Sequence, residues 1–318
     1  MQIFNISFIN FNSRINFGTH KDNNPYTSDY IFKKAASLGG IPCAYCSSPM
    51  ISRRRKDGII SCLSLARGQN IVDITSMYEP NMSAVEKEVF EEMKSYLKTH
   101  PKSTIKDFFQ KTKNEHLNKL INKQRTILNE LIVENRNNPP ELKNTLQKFF
   151  IQTIFDIENP SPAKIYSNSK FTFEMINIIK NYDTVENQQK LIDIAKKMPT
   201  SITSAHAFII KYSREDVRQT IMRFLQNSLM SIEHIRPKSH NGENKIDNYL
   251  YICTKCNNER GNQPLSEFVQ RKPSVSECLG IYFKELKNQF QDNLAQVNGY
   301  INRVKQTLIQ ESKGMIKL

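Results

Sequence analysis

From about residue 83 to 228 apolar residues recur at three- and four-residue intervals, the spacing that lines one face of an α-helix. Val85, Val89, Met93 and Leu97 form one such stripe, and Ser83 with Glu86 three residues on makes a capping box that opens the helix at Ala84. That helix is predicted to run to Lys98 and to stop at His100-Pro101. A longer one is predicted from a Ser103 or Thr104 cap through Asn135, with Leu117, Leu120, Ile121, Leu128 and Leu131 on its apolar face. Pro139-Pro140 ends it, because proline has no N–H to give the ladder. Similar patterns predict helices over 142–157, 172–181, 185–197 and 214–226, with joints at Asn159-Pro-Ser-Pro162 and Met198-Pro199. No internal repeat of fixed period is evident.

Outside this block the pattern changes. Residues 3–11 alternate like a strand, 26–38 read as a short helix, and Gly39-Gly40 ends it. Residues 231–235 and 249–252 are short strand-like segments on either side of a polar, Gly-containing loop, which predicts a hairpin. The stretch from Cys253 to Asn257 then opens a short helix. Downstream, residues 264–268 pack the end of that unit. Residues 275–312 read as one long helical stretch with Leu279, Phe283, Leu286, Phe290, Leu294, Val297 and Ile301 near helical spacing and Gly299 inside it. Charge-flanked heptads are not sustained, so packing on the helical block is expected ahead of pairing with another subunit. A protein partner or homo-oligomer through the helical regions stays open.

Composition narrows the partners. The chain has 318 residues, long enough for a core of its own, with 45 basic and 31 acidic residues and a net charge of +14. That balance favours a polyanion such as nucleic acid. Part of the charge lies in Arg53-Arg-Arg-Lys56, read as a loop that is either a solvated turn or a phosphate-binding patch. No stretch of eighteen apolar residues and no basic leader with an apolar core is present, so a membrane span is not expected and a cytoplasmic location is. Specialised export as an effector leaves no mark to read.

Four of the six cysteines fall in two Cys-x-x-Cys pairs, Cys43 with Cys46 and Cys253 with Cys256, which suggests reduced thiolates on a metal in place of a disulfide framework. Each pair is half of a tetrahedral zinc site, so the two together would complete one, although the helical block separates them. Loop closure grows only logarithmically with length, so that separation is permitted. Two unrelated pairs, or a redox pair at Cys43 and Cys46, are the alternatives; no βαβ pattern surrounds the latter. Cys62 and Cys278 are unpaired by spacing and read as ordinary buried thiols. His100, His116 and His206 are isolated in sequence and are assigned to helix surfaces or ends, and His240 to a solvated loop.

Residues 232–265 concentrate the chemistry. His234 offers a base that titrates near neutral pH, Glu233 and Asn257 offer hard oxygens suited to magnesium or manganese, and Arg260 a cation for a phosphate oxygen. Asn248 is placed to brace the loop through backbone hydrogen bonds.

The acid-His pair followed by Ile-x-Pro, Asn248 fourteen residues after His234 and Asn257 nine further on resemble the HNH endonuclease family. The resemblance implies a ββα unit clasping one metal ion, with His234 as general base, Glu233 and Asn257 as metal ligands and Asn248 as a structural member of the site. It departs in having Glu233 where many members have Asp, and Asn257 in place of the last His. The expected fold is mostly helical α+β: a split ββα-metal module with a large helical insertion and a C-terminal helix. Its parts are a knuckle segment at 1–60, the insertion at 61–228, the nuclease core at 229–272 and the helix at 273–318. The expected function is metal-dependent cutting of nucleic acid, DNA ahead of RNA, with catalytic Mg2+ or Mn2+ and structural Zn2+. The rival is a zinc-containing reader that binds nucleic acid without cutting.

Overall fold

The structure is a computed structural model and describes residues 40–158, 168–181 and 187–318. The strand and helix expected at 3–11 and 26–38, and the joint at Asn159–Pro162, lie outside the described residues. The remainder is mostly helical with one small antiparallel sheet, as the sequence pattern predicts.

Helices α1 (Arg53–Leu65), α2 (Gln69–Ser76), α3 (Ala84–Thr99) and α4 (Ile105–Glu134) come first. The α3 capping box forms as expected: Ser83 N donates to Glu86 Oε2 at 2.7 Å and Glu86 N to Ser83 Oγ at 3.3 Å. Thr104 caps α4 in the same reciprocal way with Asp107. Among the described residues five further helices complete the block and lead to the sheet: α5 (Pro140–Glu158), α6 (Asn168–Lys180), α7 (Gln188–Lys196), α8 (Ala205–Tyr212) and α9 (Val217–Leu225).

Two readings of this block are corrected. The Arg53–Lys56 run is the first turn of α1 and not a loop. The buried Ile60 and Leu63 anchor α1 to the core, while Gly58 faces open space and does not break it. Cys62, on the same helix, is exposed and Cys278 half-buried, so neither is a fully buried thiol. Helix α8, AHAFIIKY, which the sequence pattern leaves unmarked, lacks a polar face because it is covered on several sides. Ala205, Ala207, Phe208, Ile209 and Ile210 are all buried, so no amphipathic period marks it.

Strands β1 (Met230–His234) and β2 (Tyr249–Cys253) pair antiparallel, with Met230 opposite Cys253 and His234 opposite Tyr249. Every residue of β2 is buried. The loop between them turns at Asn241, whose φ of 60° is left-handed, and at Gly242, where a Cβ would strike the Arg236 carbonyl. Helix α10 (Thr254–Arg260) follows β2 at once, then α11 (Leu265–Arg271). The long C-terminal helix is not continuous. It is α12 (Val275–Gln289) and α13 (Leu294–Glu311), broken at Phe290–Asn293 and not at Gly299. Phe290 leaves the helical region at φ −118° and ψ 37°, and its fully buried ring holds the corner.

Three main apolar clusters result. One joins the knuckle around Cys43–Met50 to β2 and α10–α13; a second joins α1–α3 and the start of α4 to α8 and α9; a third joins the far half of α4 to α5–α7. The knuckle reaches the sheet by main-chain bonds, Ala44 N to Tyr251 O at 3.1 Å and Met230 N to Ile51 O at 2.9 Å. Residues on either side of the helical block thus meet at one sheet.

Candidate active site and metal centre

The two Cys-x-x-Cys pairs meet. The sulfurs of Cys43, Cys46, Cys253 and Cys256 all lie within 4.8 Å of one another, and Cys46 Sγ stands 3.8 Å from Cys253 Sγ although the two are 207 positions apart in sequence. Sulfurs around a tetrahedral ion with metal–sulfur bonds of about 2.3 Å stand about 3.8 Å apart, so the donor set fits a zinc-type ion. Backbone N–H groups already aim at the sulfurs: Cys253 N to Cys43 Sγ at 3.2 Å and Cys256 N to Cys253 Sγ at 3.4 Å. Hydrogen bonding among the crowded sulfurs pushes the Cys43 and Cys256 thiols up and pulls those of Cys46 and Cys253 down. Four thiolates cannot coexist there without a cation. Lys272 adds a positive charge, with Nζ 3.6 Å from Cys256 Sγ and 2.9 Å from Glu259. Burial works against that charge, yet Glu259 and the Cys256 sulfur hold the Lys272 pKa above its ordinary value.

Helix α10 runs beside β1. Ser231 and Glu233 share one strand face, and Asn257 and Arg260, one helical turn apart, look across at them. Asn257 Nδ2 donates to Ser231 Oγ at 3.0 Å. Arg260 does not reach outward for a phosphate as its charge suggests. Its side chain is fully buried and pairs with the Glu233 carboxylate. It also donates to the carbonyls of His234 at 2.8 Å, Ile235 at 2.6 Å and Gln263 at 3.2 Å, and to Tyr45 Oη at 3.3 Å. A guanidinium buried this completely and held by five acceptors of the protein is closed to a substrate phosphate, which departs from that expectation. Among the described residues no hydrogen bond uses the Asn257 amide oxygen or the second Glu233 oxygen. One amide and one carboxylate oxygen suit a hard divalent ion that keeps several waters, so the donor chemistry fits magnesium or manganese.

His234 sits on the opposite pleat. Its ring meets Tyr249, its cross-strand partner, edge-on at 4.8 Å, and its Nε2 is 3.1 Å from Asn244 Oδ1. Asn248 braces the loop as the sequence implies. Its Oδ1 accepts from Arg236 N at 2.7 Å, and its Nδ2 donates to the carbonyls of Arg236 at 3.1 Å and Glu243 at 2.9 Å. Arg236 in turn pairs with Glu311 of α13, which fastens the loop to the C-terminal helix. His240 is exposed beside Ser239. Tyr45 and Asn244 carry no motif signal, although Tyr45 lies inside the first Cys-x-x-Cys.

Away from the sheet, His116 and His206 are not isolated. His116 is buried between α3 and α8, its Nε2 2.7 Å from Glu92 and its Nδ1 2.8 Å from His206 Nδ1. Ninety positions separate the two rings, so spacing could not reveal the pair. No helix among the described residues is long and apolar enough to cross a membrane.

Residues 222–263, from α9 to the end of α10, match the family model described as HNH endonuclease. The chain therefore carries an HNH-type module, and the match takes in the hairpin, α10 and two of the four cysteines, Cys253 and Cys256. Comparisons with curated proteins and with solved structures each gave no match.

Proposed function

We propose that this chain is a divalent-metal-dependent endonuclease that hydrolyses phosphodiester bonds of nucleic acid, with DNA as its substrate and zinc in the four-Cys centre. The observation that supports it most is that residues 222–263, which carry Glu233, His234 and Asn257 on the hairpin and helix, match the HNH family. Asn244 Oδ1 accepting from Nε2 keeps that proton on His234 and puts the basic lone pair on Nδ1, which takes the proton of the attacking water. Glu233 and Asn257 are the residues that would hold magnesium or manganese. When bound there, the ion stabilises charge on the phosphate and the departing 3′ oxygen, leaving a 5′ phosphate. Asn248 keeps the loop that carries Asn244 against β1, and the net charge of +14 draws in the polyanion.

A reader that binds without cutting is the second reading, and one observation favours it: the Glu233 carboxylate is already paired with Arg260. Labelled plasmid, linear single-stranded DNA and RNA, incubated with magnesium or manganese, separate the two. Cutting that EDTA stops and that His234→Ala lowers by about 100-fold or more supports the nuclease. Binding without cutting by zinc-loaded protein supports the reader, and equal cutting by the His234 variant rejects the mechanism.

A further inference from the structure

Glu233 and His234 are neighbours on a strand and therefore point to opposite faces, so whatever fixes the end of β1 fixes both groups at once. The Arg260 guanidinium does this. It pairs with one oxygen of Glu233 while two of its nitrogens hold the carbonyls of His234 and Ile235, and it reaches Tyr45 between the two knuckle cysteines. Four other contacts, Gln263 O among them, hold this planar, fully buried group in place, and its pairing with one carboxylate oxygen leaves the second for an ion. The same contacts connect the four-Cys centre to the chain that carries the base.

We infer that Arg260 is a positioning residue that presents Glu233 to the divalent ion through a single oxygen and ties its aim to the sulfur centre through Tyr45. This rests on the nuclease reading, but its test does not depend on cutting alone. Lysine keeps the charge and offers one compact donor point, so it cannot hold carboxylate, two carbonyls and a phenol together.

The experiment compares wild type, Arg260→Lys and the milder Tyr45→Phe by zinc content, by Mn2+ affinity from electron paramagnetic resonance, and by kcat and KM on DNA. Arg260→Lys is expected to keep its zinc and circular dichroism, to change Mn2+ affinity by about 10-fold or more, and to lower kcat with KM nearly unchanged. Tyr45→Phe shifts both readouts the same way by less. Unchanged Mn2+ affinity in a folded, zinc-loaded Arg260→Lys protein overturns the inference. If that variant loses its zinc, Tyr45→Phe decides, and wild-type Mn2+ affinity there overturns it. A wild type that binds Mn2+ but cuts nothing rejects the nuclease reading, while the affinity shift still judges Arg260. A wild type that binds no Mn2+ overturns the inference itself.

Discussion

Asn244 Oδ1 stands 3.1 Å from His234 Nε2, and because an amide oxygen only accepts, the contact calls for a proton on that nitrogen. Replacing it with Asp sets a carboxylate on the same Nε2–H. A neighbouring negative charge favours the protonated imidazolium over the neutral base. The acid limb of the pH–rate profile of Asn244→Asp is therefore expected to move upward, with the alkaline plateau kept. A limb that stays in place would separate Asn244 from the base. At this scale residue types were legible and surroundings were not. Asn248 announced its role because a short amide in a turn has few better uses than backbone bonds. Arg260 misled, since nothing in a sequence tells a cation committed to Glu233 and two carbonyls from one waiting for phosphate.

Elements were legible where caps and a polar face marked them. Ser83 and Thr104 fixed the starts of α3 and α4, whereas α8, covered on most sides, had no period to read. The Phe290 corner escaped for a related reason, because its apolar positions keep helical spacing across the break. Helices α3, α4 and α8 meet through Glu92, His116 and His206, which makes their packing sensitive to pH. Burial first, then His116 and Lys119, lower the His206 pKa below its ordinary 6.5. The unfolded chain thus takes up that proton before the native one does. Stability from this group is complete above the ordinary His range and is lost as pH falls through it toward the folded pKa. A second proton would also set two N–H groups against each other across the 2.8 Å Nδ1 contact. The urea midpoint is expected to fall between pH 7.5 and 5.5, and His206→Gln should flatten that fall. An equal fall in the variant assigns the sensitivity elsewhere.

At the scale of the whole molecule, chain connectivity works against the HNH-type module, because its sulfur ligands come from opposite sides of the helical block. Closing a loop of that length costs roughly 5 kcal/mol in chain entropy. A structural zinc site contributes about 10–16 kcal/mol, enough to offset the closure and still stabilise the fold around it. The dependence should be uneven, because the cluster joining the knuckle, β2 and α10–α13 contains all four cysteines and the cluster of α4–α7 contains none. The chain has no Trp, and five of its twelve Tyr, namely Tyr45, Tyr249, Tyr251, Tyr282 and Tyr300, lie in the first cluster, so near-ultraviolet circular dichroism reports in part on it. Removing the metal with a chelator, or Cys253→Ser, is expected to lower the near-ultraviolet signal by the share that these five Tyr contribute. Far-ultraviolet helicity should fall only in part, since α5–α7 and the far half of α4 bury their faces against one another. Loss of both signals together would mean that the helical block cannot stand without the module. A near-ultraviolet spectrum unchanged by metal removal would mean that buried apolar surface alone holds the knuckle to the sheet, and that the four sulfurs are not what closes the chain.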